Sequence, residues 1–265
     1  ENPLRSFWSN YERMDGLITL IHLFGYFVVL GSFLRAVPWL WRWFLRVSLA
    51  ASIVVSIYGI FQLLGKFTIN QGGVRVDAKF GNATYLASYL LFHIFFAALL
   101  FIKEKKSIIL RSLYGIVIFL HIFMLFSTAT RGAVLALIGG ALLTVFLTLL
   151  INYKIPVFRN WTIGVLISVI VLIGGFFLFK DTSFIRENPA LGRLSNISLE
   201  AGESRFLVWG MAWNGVKEHP ILGWGQDNFI LSFNKYYDAR MYGQEPWFDR
   251  AHNIIFDWLI SAGFA

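Results

Sequence analysis

Apolar runs of bilayer-crossing character decide what this chain can fold into. Six lie before residue 180, at about 17–34, 45–64, 85–102, 113–126, 133–151 and 161–179, and a seventh opens at 254–265. The first holds 18 residues with no charged side chain. That is roughly 27 Å of helix, against a hydrocarbon core about 30 Å thick. Hydrocarbon offers no partner to backbone N–H and C=O groups, so such runs satisfy them internally, as helices. Composition agrees, with 57% hydrophobic and 14% charged residues, where a soluble domain carries about 25% charged. The expected fold class is all-α: a polytopic transmembrane helical bundle with one large extracytoplasmic helical loop.

The segments between the runs complete the expected organisation. Residues 1–16 are polar and aromatic and read as an extracytoplasmic lead-in. Residues 17–179 form six transmembrane helices with short loops. Residues 180–253 form the large loop, and 254–265 the start of a seventh, truncated span. The chain starts without Met and stops inside an apolar run, so it reads as a piece of a longer protein. Trp39, Trp41 and Trp43 among basic residues mark an aromatic interface. Inside the large loop, Phe206, Val208, Trp209, Ala212, Trp213 and Val216 recur at helical spacing over 203–219. Pro220 stops that helix, Gly223-Trp224-Gly225 turns, and 228–241 reads as a second helix. Both helices are expected to lie on the membrane surface. With no Cys, disulfides and Cys-ligated metals are excluded.

Charge sets the orientation. One face collects Arg35, Arg42, Arg46, Lys103, Lys105, Lys106, Arg111, Lys154 and Arg159 against one acid, Glu104. The other face holds the remaining fourteen basic and fourteen acidic residues. The net charge of +8 therefore belongs to one side. By the positive-inside rule that side is cytoplasmic. Residues 1–16, Arg131 and the loop 180–253 are then extracytoplasmic. The basic balance follows from topology, and nucleic acid is not an expected partner.

Few residues qualify for chemistry. Arg131 lies at the outer boundary, either as a snorkelling interfacial arginine or as a ligand for an anion. Arg205 sits in a helix's first turn, where the dipole disfavours a cation. It is either paired with an acid such as Glu203 or aimed at an anionic partner. Arg13 is paired with Glu12 or Asp15, or faces the same anion as Arg131. His252 is extracytoplasmic and beside a membrane boundary, either a structural loop residue or a proton acceptor near neutral pH. His22, His93 and His121 fall within spans and read as hydrogen-bonded core residues, and His219 as a helix C-terminal residue. Asp249 and His252 are too few for a metal site. No P-loop or G-x-S-x-G is present.

The ordered motifs resemble a known family. Thr130-Arg131-Gly132-Ala133 leading into a span is similar to a segment of the O-antigen ligase/polymerase superfamily. Arg205, Trp209, Ala212, His219-Pro220-Ile221, Gly223, Gly225 and Asn228-Phe229 resemble the start of that family's periplasmic loop. His252-Asn253 before an apolar run and Gly263 resembles its end, and 81–87 resembles another family segment. The resemblance implies a helical bundle of the C-type glycosyltransferase kind in the bacterial cytoplasmic (inner) membrane. It implies transfer of a glycan from a polyprenyl-pyrophosphate carrier, such as undecaprenyl pyrophosphate, to a glycan, lipid or protein acceptor. No cofactor and no metal are expected. Arg131, Arg205 and possibly Arg13 would hold the pyrophosphate, and His252 would activate the acceptor hydroxyl. Displacement would be inverting. The alternative is a transporter or flippase of lipid-linked glycans, which would place charged or broken segments at midplane.

The orientation is testable with introduced cysteines, since the native chain has none. On intact cells a membrane-impermeant thiol reagent should label Lys235→Cys and spare Lys105→Cys. The reverse pattern would invert the topology.

Overall fold

A computed structural model describes residues 2–10, 14–70, 75–152, 154–183, 185, 192, 203–243 and 245–265. Among them every regular element is helical. The α-helices are α1 Pro3–Trp8, α2 Leu17–Ala36, α3 Leu40–Leu63, α4 Ala83–Lys103, α5 Ile108–Ser127, α6 Arg131–Asn152 and α7 Pro156–Phe179. They continue as α8 Glu203–Glu218, α9 Phe229–Lys235 and α10 Ile254–Ala262, with a 3₁₀ turn at Ala239–Gly243. Six of them, α2 to α7, contain stretches long and apolar enough to cross a membrane. Leu135, Leu150, Ile170 and Leu178 on α6 and α7 are exposed, as suits lipid rather than water. The chain is an all-α, multi-pass membrane protein.

Two compact units make up the chain: residues 1–38 with 198–265, and residues 39–197. In the second, α3, α4 and α5 pack around Leu86, Leu90, Met124 and Leu125, all fully buried. Polar side chains tie these helices together where lipid supplies no partners. His93 Nε2 meets Ser48 Oγ at 2.8 Å, and His121 Nε2 meets Ser52 Oγ at 2.7 Å. At one end of this bundle Arg46 donates to Tyr114 Oη at 3.0 Å and Glu104 at 3.4 Å. Glu104 also accepts from the N–H groups of Lys106 and Ser107. Those bonds hold its carboxyl below the ordinary range, with Arg46 adding to them. At the other end, the loop between α3 and α4 folds onto the bundle. Asp77, fully buried, accepts from Gln62 Nε2 at 2.8 Å and Asn70 N–H at 3.2 Å.

The first unit has its own core. Val208, Ala212 and Val216 of α8 meet Phe229 and Phe233 of α9 and Ile260 of α10. The turn after α8 docks on the end of α10: Trp224 N–H donates to Ile260 O at 2.7 Å and Gly225 N–H to Ser261 O at 3.1 Å. The amino-terminal stretch belongs to the same unit. Arg5 pairs with Asp227 at 3.2 Å, Asn228 Nδ2 donates to Ser6 Oγ at 2.8 Å, and Arg250 pairs with Asp15. Hydrogen-bonded polar segments of this kind share one side of a membrane.

Several expectations need correction. α3 starts at Leu40 rather than near residue 45, so Trp41 and Trp43 are helical. α5 starts at Ile108, where Ser107 accepts from Leu110 N–H, and Arg111 lies within it over the Phe101 ring. α6 starts at Arg131 itself rather than after a turn through residue 132. The helix expected at 228–241 is α9 plus a 3₁₀ turn, because the chain turns over Tyr236 to bury Met241. His93 and His121 are hydrogen-bonded core residues as read, but His22 is exposed, its Nδ1 meeting Ile18 O at 2.7 Å.

Gly223 has φ +63°, and a Cβ there would lie 2.5 Å from Ile260 O. Gly223→Ala should therefore destabilise the protein by at least the ~1–2 kcal/mol that a left-handed backbone costs other residues. Gly210, mid-helix with nothing within 4 Å of a built Cβ, should respond oppositely. Gly210→Ala should stabilise by about 0.5–1 kcal/mol. Thermal denaturation in detergent checks the two signs.

Candidate functional site

Arg131 is the first residue of α6, at the bundle end where the α3–α4 loop folds. The turn before it is specified locally. Thr128 Oγ1 donates to Leu125 O at 2.7 Å and to Thr130 Oγ1 at 3.0 Å, and Ala129 takes a left-handed φ of 49°. Arg75 reaches into the same turn, donating to Thr128 O at 3.1 Å and Thr130 Oγ1 at 3.0 Å. Arg131 is half-exposed and Gly132 exposed. A guanidinium at a helix N-terminus makes a setting suited to an anion.

Arg205 and His252 lie in the other unit. Arg205 is exposed in the first turn of α8. Among the described residues it forms no ion pair, so the pairing with Glu203 considered above is not made. His252 is exposed, its ring meeting Phe248 edge-on at 5.5 Å. Its backbone is left-handed, φ 50°. Asn253 caps α10, accepting from Ile255 N–H at 3.0 Å. His219 ends the α8 segment, stacked edge-on against Trp224 at 4.6 Å. Arg13 lies outside the described residues.

A network of charges braces this unit. Asp227 accepts from Arg5 and Ser9, and Ser9 Oγ also donates to Asp15 at 3.0 Å. Asp227, Asp249, Arg250 and Asp257 line a water-sized recess with Phe229 and Ser261. Elsewhere in this unit, hydrogen bonds from Lys235 and Tyr236 hold the Glu218 carboxyl below the usual range. Arg240 pushes Asp238 down to about 2. Among the described residues no group of three or more His, Asp or Glu side chains is gathered to hold a metal.

Reasoning from sequence missed three of these. Arg75 stands in a loop at the same bundle end as Arg131, and its charge between two apolar runs was a usable signal. Asp227 and Asp257 left none, because their partners lie 222 residues away or on backbone.

Helices of bilayer length and folded polar segments at their ends define a multi-pass membrane protein. The chain belongs to the O-antigen ligase family, glycosyltransferase-type enzymes, which is matched over residues 115–265. Arg131, Arg205 and His252 all fall inside the match; Arg75 precedes it. No curated protein and no solved structure gives a significant match.

Arg75→Ala removes a charged donor from two acceptors at the Arg131 turn. It should destabilise by about 1.5–3 kcal/mol. A thermal shift in detergent no larger than that of a surface substitution would show the contacts to be incidental.

Proposed function

We propose that this chain is part of a membrane glycosyltransferase of ligase or polymerase type. It transfers a glycan from a polyprenyl-pyrophosphate carrier to an acceptor hydroxyl on the outer face of the cytoplasmic membrane. The observation that carries the reading is the presence, within one unit and inside the family match, of an exposed guanidinium with no ion pair among the described residues, Arg205, and an exposed imidazole, His252. Arg131 belongs to the other unit. Its role is proposed from the motif resemblance around Thr130-Arg131-Gly132-Ala133 and from its chemistry at a helix N-terminus, not from a distance.

In this mechanism the neutral His252 imidazole takes the proton of the acceptor hydroxyl. The oxygen attacks the anomeric carbon from the face opposite the pyrophosphate. A new C–O bond forms as the bond to the phosphate oxygen breaks, and the pyrophosphate leaves with the electron pair. Charge grows on that oxygen in the transition state. Arg131 and Arg205 stabilise it through bidentate hydrogen bonds. The carrier's lipid tail is hydrocarbon, so a donor site at the membrane boundary admits it sideways.

His252→Ala should slow transfer by about 10²–10⁴-fold, the usual size of general-base catalysis, with donor affinity little changed. Arg131→Ala and Arg205→Ala should weaken donor binding and slow transfer together. Lysine at either position should rescue only in part, because an ammonium keeps the charge and loses the fork. His219→Ala should turn over near wild type. Turnover and donor affinity of the intact protein, with folding checked by size exclusion in detergent, test these roles. Normal turnover by folded His252→Ala would place the base elsewhere. In this reading guanidinium groups supply the stabilising charge, so transfer should also survive EDTA. Loss on chelation with recovery in Mg²⁺ would assign that charge to a metal.

A further inference from the structure

His252 holds a left-handed backbone, φ 50°, which is uncommon outside glycine and is disfavoured by the Cβ. Backbone groups on both sides of it are held. Ala251 N–H donates to Asp257 Oδ1 at 2.9 Å. Ala251 O accepts from Trp209 Nε1 at 2.9 Å. On the other side, Asp257 N–H donates to Asn253 O at 2.8 Å, and Asn253 Oδ1 caps α10. Ala251 is fully buried, while the His252 side chain is exposed. The backbone is thus clamped before and after a residue whose ring is free to meet a ligand.

We infer that Asp257 is a positioning residue for the transfer reaction. Its carboxylate closes a loop from α10 back to the buried Ala251 N–H and so fixes the left-handed turn that aims His252. The inference rests on the reading of His252 as the base. A carboxyl oxygen suits the task because it accepts the N–H bond. Without that acceptor a buried N–H loses its partner, and the turn relaxes toward backbone that histidine prefers. A plainer role exists for an acid near a helix N-terminus, favourable charge against the dipole. The two roles predict opposite orders for two conservative variants. Asp257→Asn keeps an oxygen acceptor of the same reach and drops the charge. Asp257→Glu keeps the charge and moves the acceptor by a methylene.

The experiment uses membrane vesicles bearing the intact protein and a polyprenyl-pyrophosphate-linked oligosaccharide, with release of polyprenyl pyrophosphate as the readout. Asp257→Ala should lower kcat about a hundredfold, the cost of misplacing a catalytic group by about 1 Å, with KM for the donor unchanged. Asp257→Asn should stay near wild type and Asp257→Glu should be slow. The double variant with His252→Ala should be no slower than His252→Ala alone, because a positioning residue acts only through the group it positions. Normal kcat in Asp257→Ala, Asp257→Glu faster than Asp257→Asn, or full additivity in the double variant would each overturn the inference. If Asp257→Ala does not accumulate as folded protein, the order of the other two variants still decides. Slow His252→Ala with normal Asp257 variants would sink this inference alone, whereas active His252→Ala would sink the base assignment beneath it.

Discussion

Hydrocarbon offers no hydrogen-bond partner, and the rest of this structure follows from that. It makes the long apolar runs helical, and it leaves polar chemistry to the segments at their ends. It also explains the pairs His93–Ser48 and His121–Ser52 inside the bundle. Each places a polar group against another polar group where an unpaired one would cost several kcal/mol. The same rule sorts the charges. Arg46 and Glu104 meet at one end of the bundle, while Arg75 engages the Thr128–Thr130 turn at the other.

The folded polar segments obey a different rule, because water competes for their hydrogen bonds. Their order comes from a small core and from glycine turns. Gly223 and Gly263 bring backbone against backbone, where a side chain would collide with Ile260 O and Ile221 O. Those approaches seat the start of the loop on its end, so Arg205 on α8 and His252 before α10 belong to one packed body. A reaction that needs a charge-stabilising group and a base gains from such rigidity, since effective molarity depends on fixed geometry.

Much of this was legible in the sequence. Every expected span before residue 180 is a helix, because lipid enforces regularity on runs of that composition. The ends were less legible: Trp41, Trp43 and Arg111 look like interface residues yet sit comfortably within helices. The side chains proposed for chemistry were nameable from motif and placement. What supports them was not. The left-handed φ of His252, the bond from Ala251 to Asp257 and the pair Arg5–Asp227 are tertiary facts with no local pattern. Arg205, by contrast, announces itself as a cation in a helix's first turn, where the dipole opposes it, and Arg131 as a charge between two apolar runs.

The central claim is direct displacement of pyrophosphate by a hydroxyl that a histidine has deprotonated. The anomeric configuration of the new linkage tests it most directly. NMR of the product formed from a donor of known configuration should show inversion at the transferred sugar. Retention would require two successive displacements through a covalent intermediate, and would contradict the account.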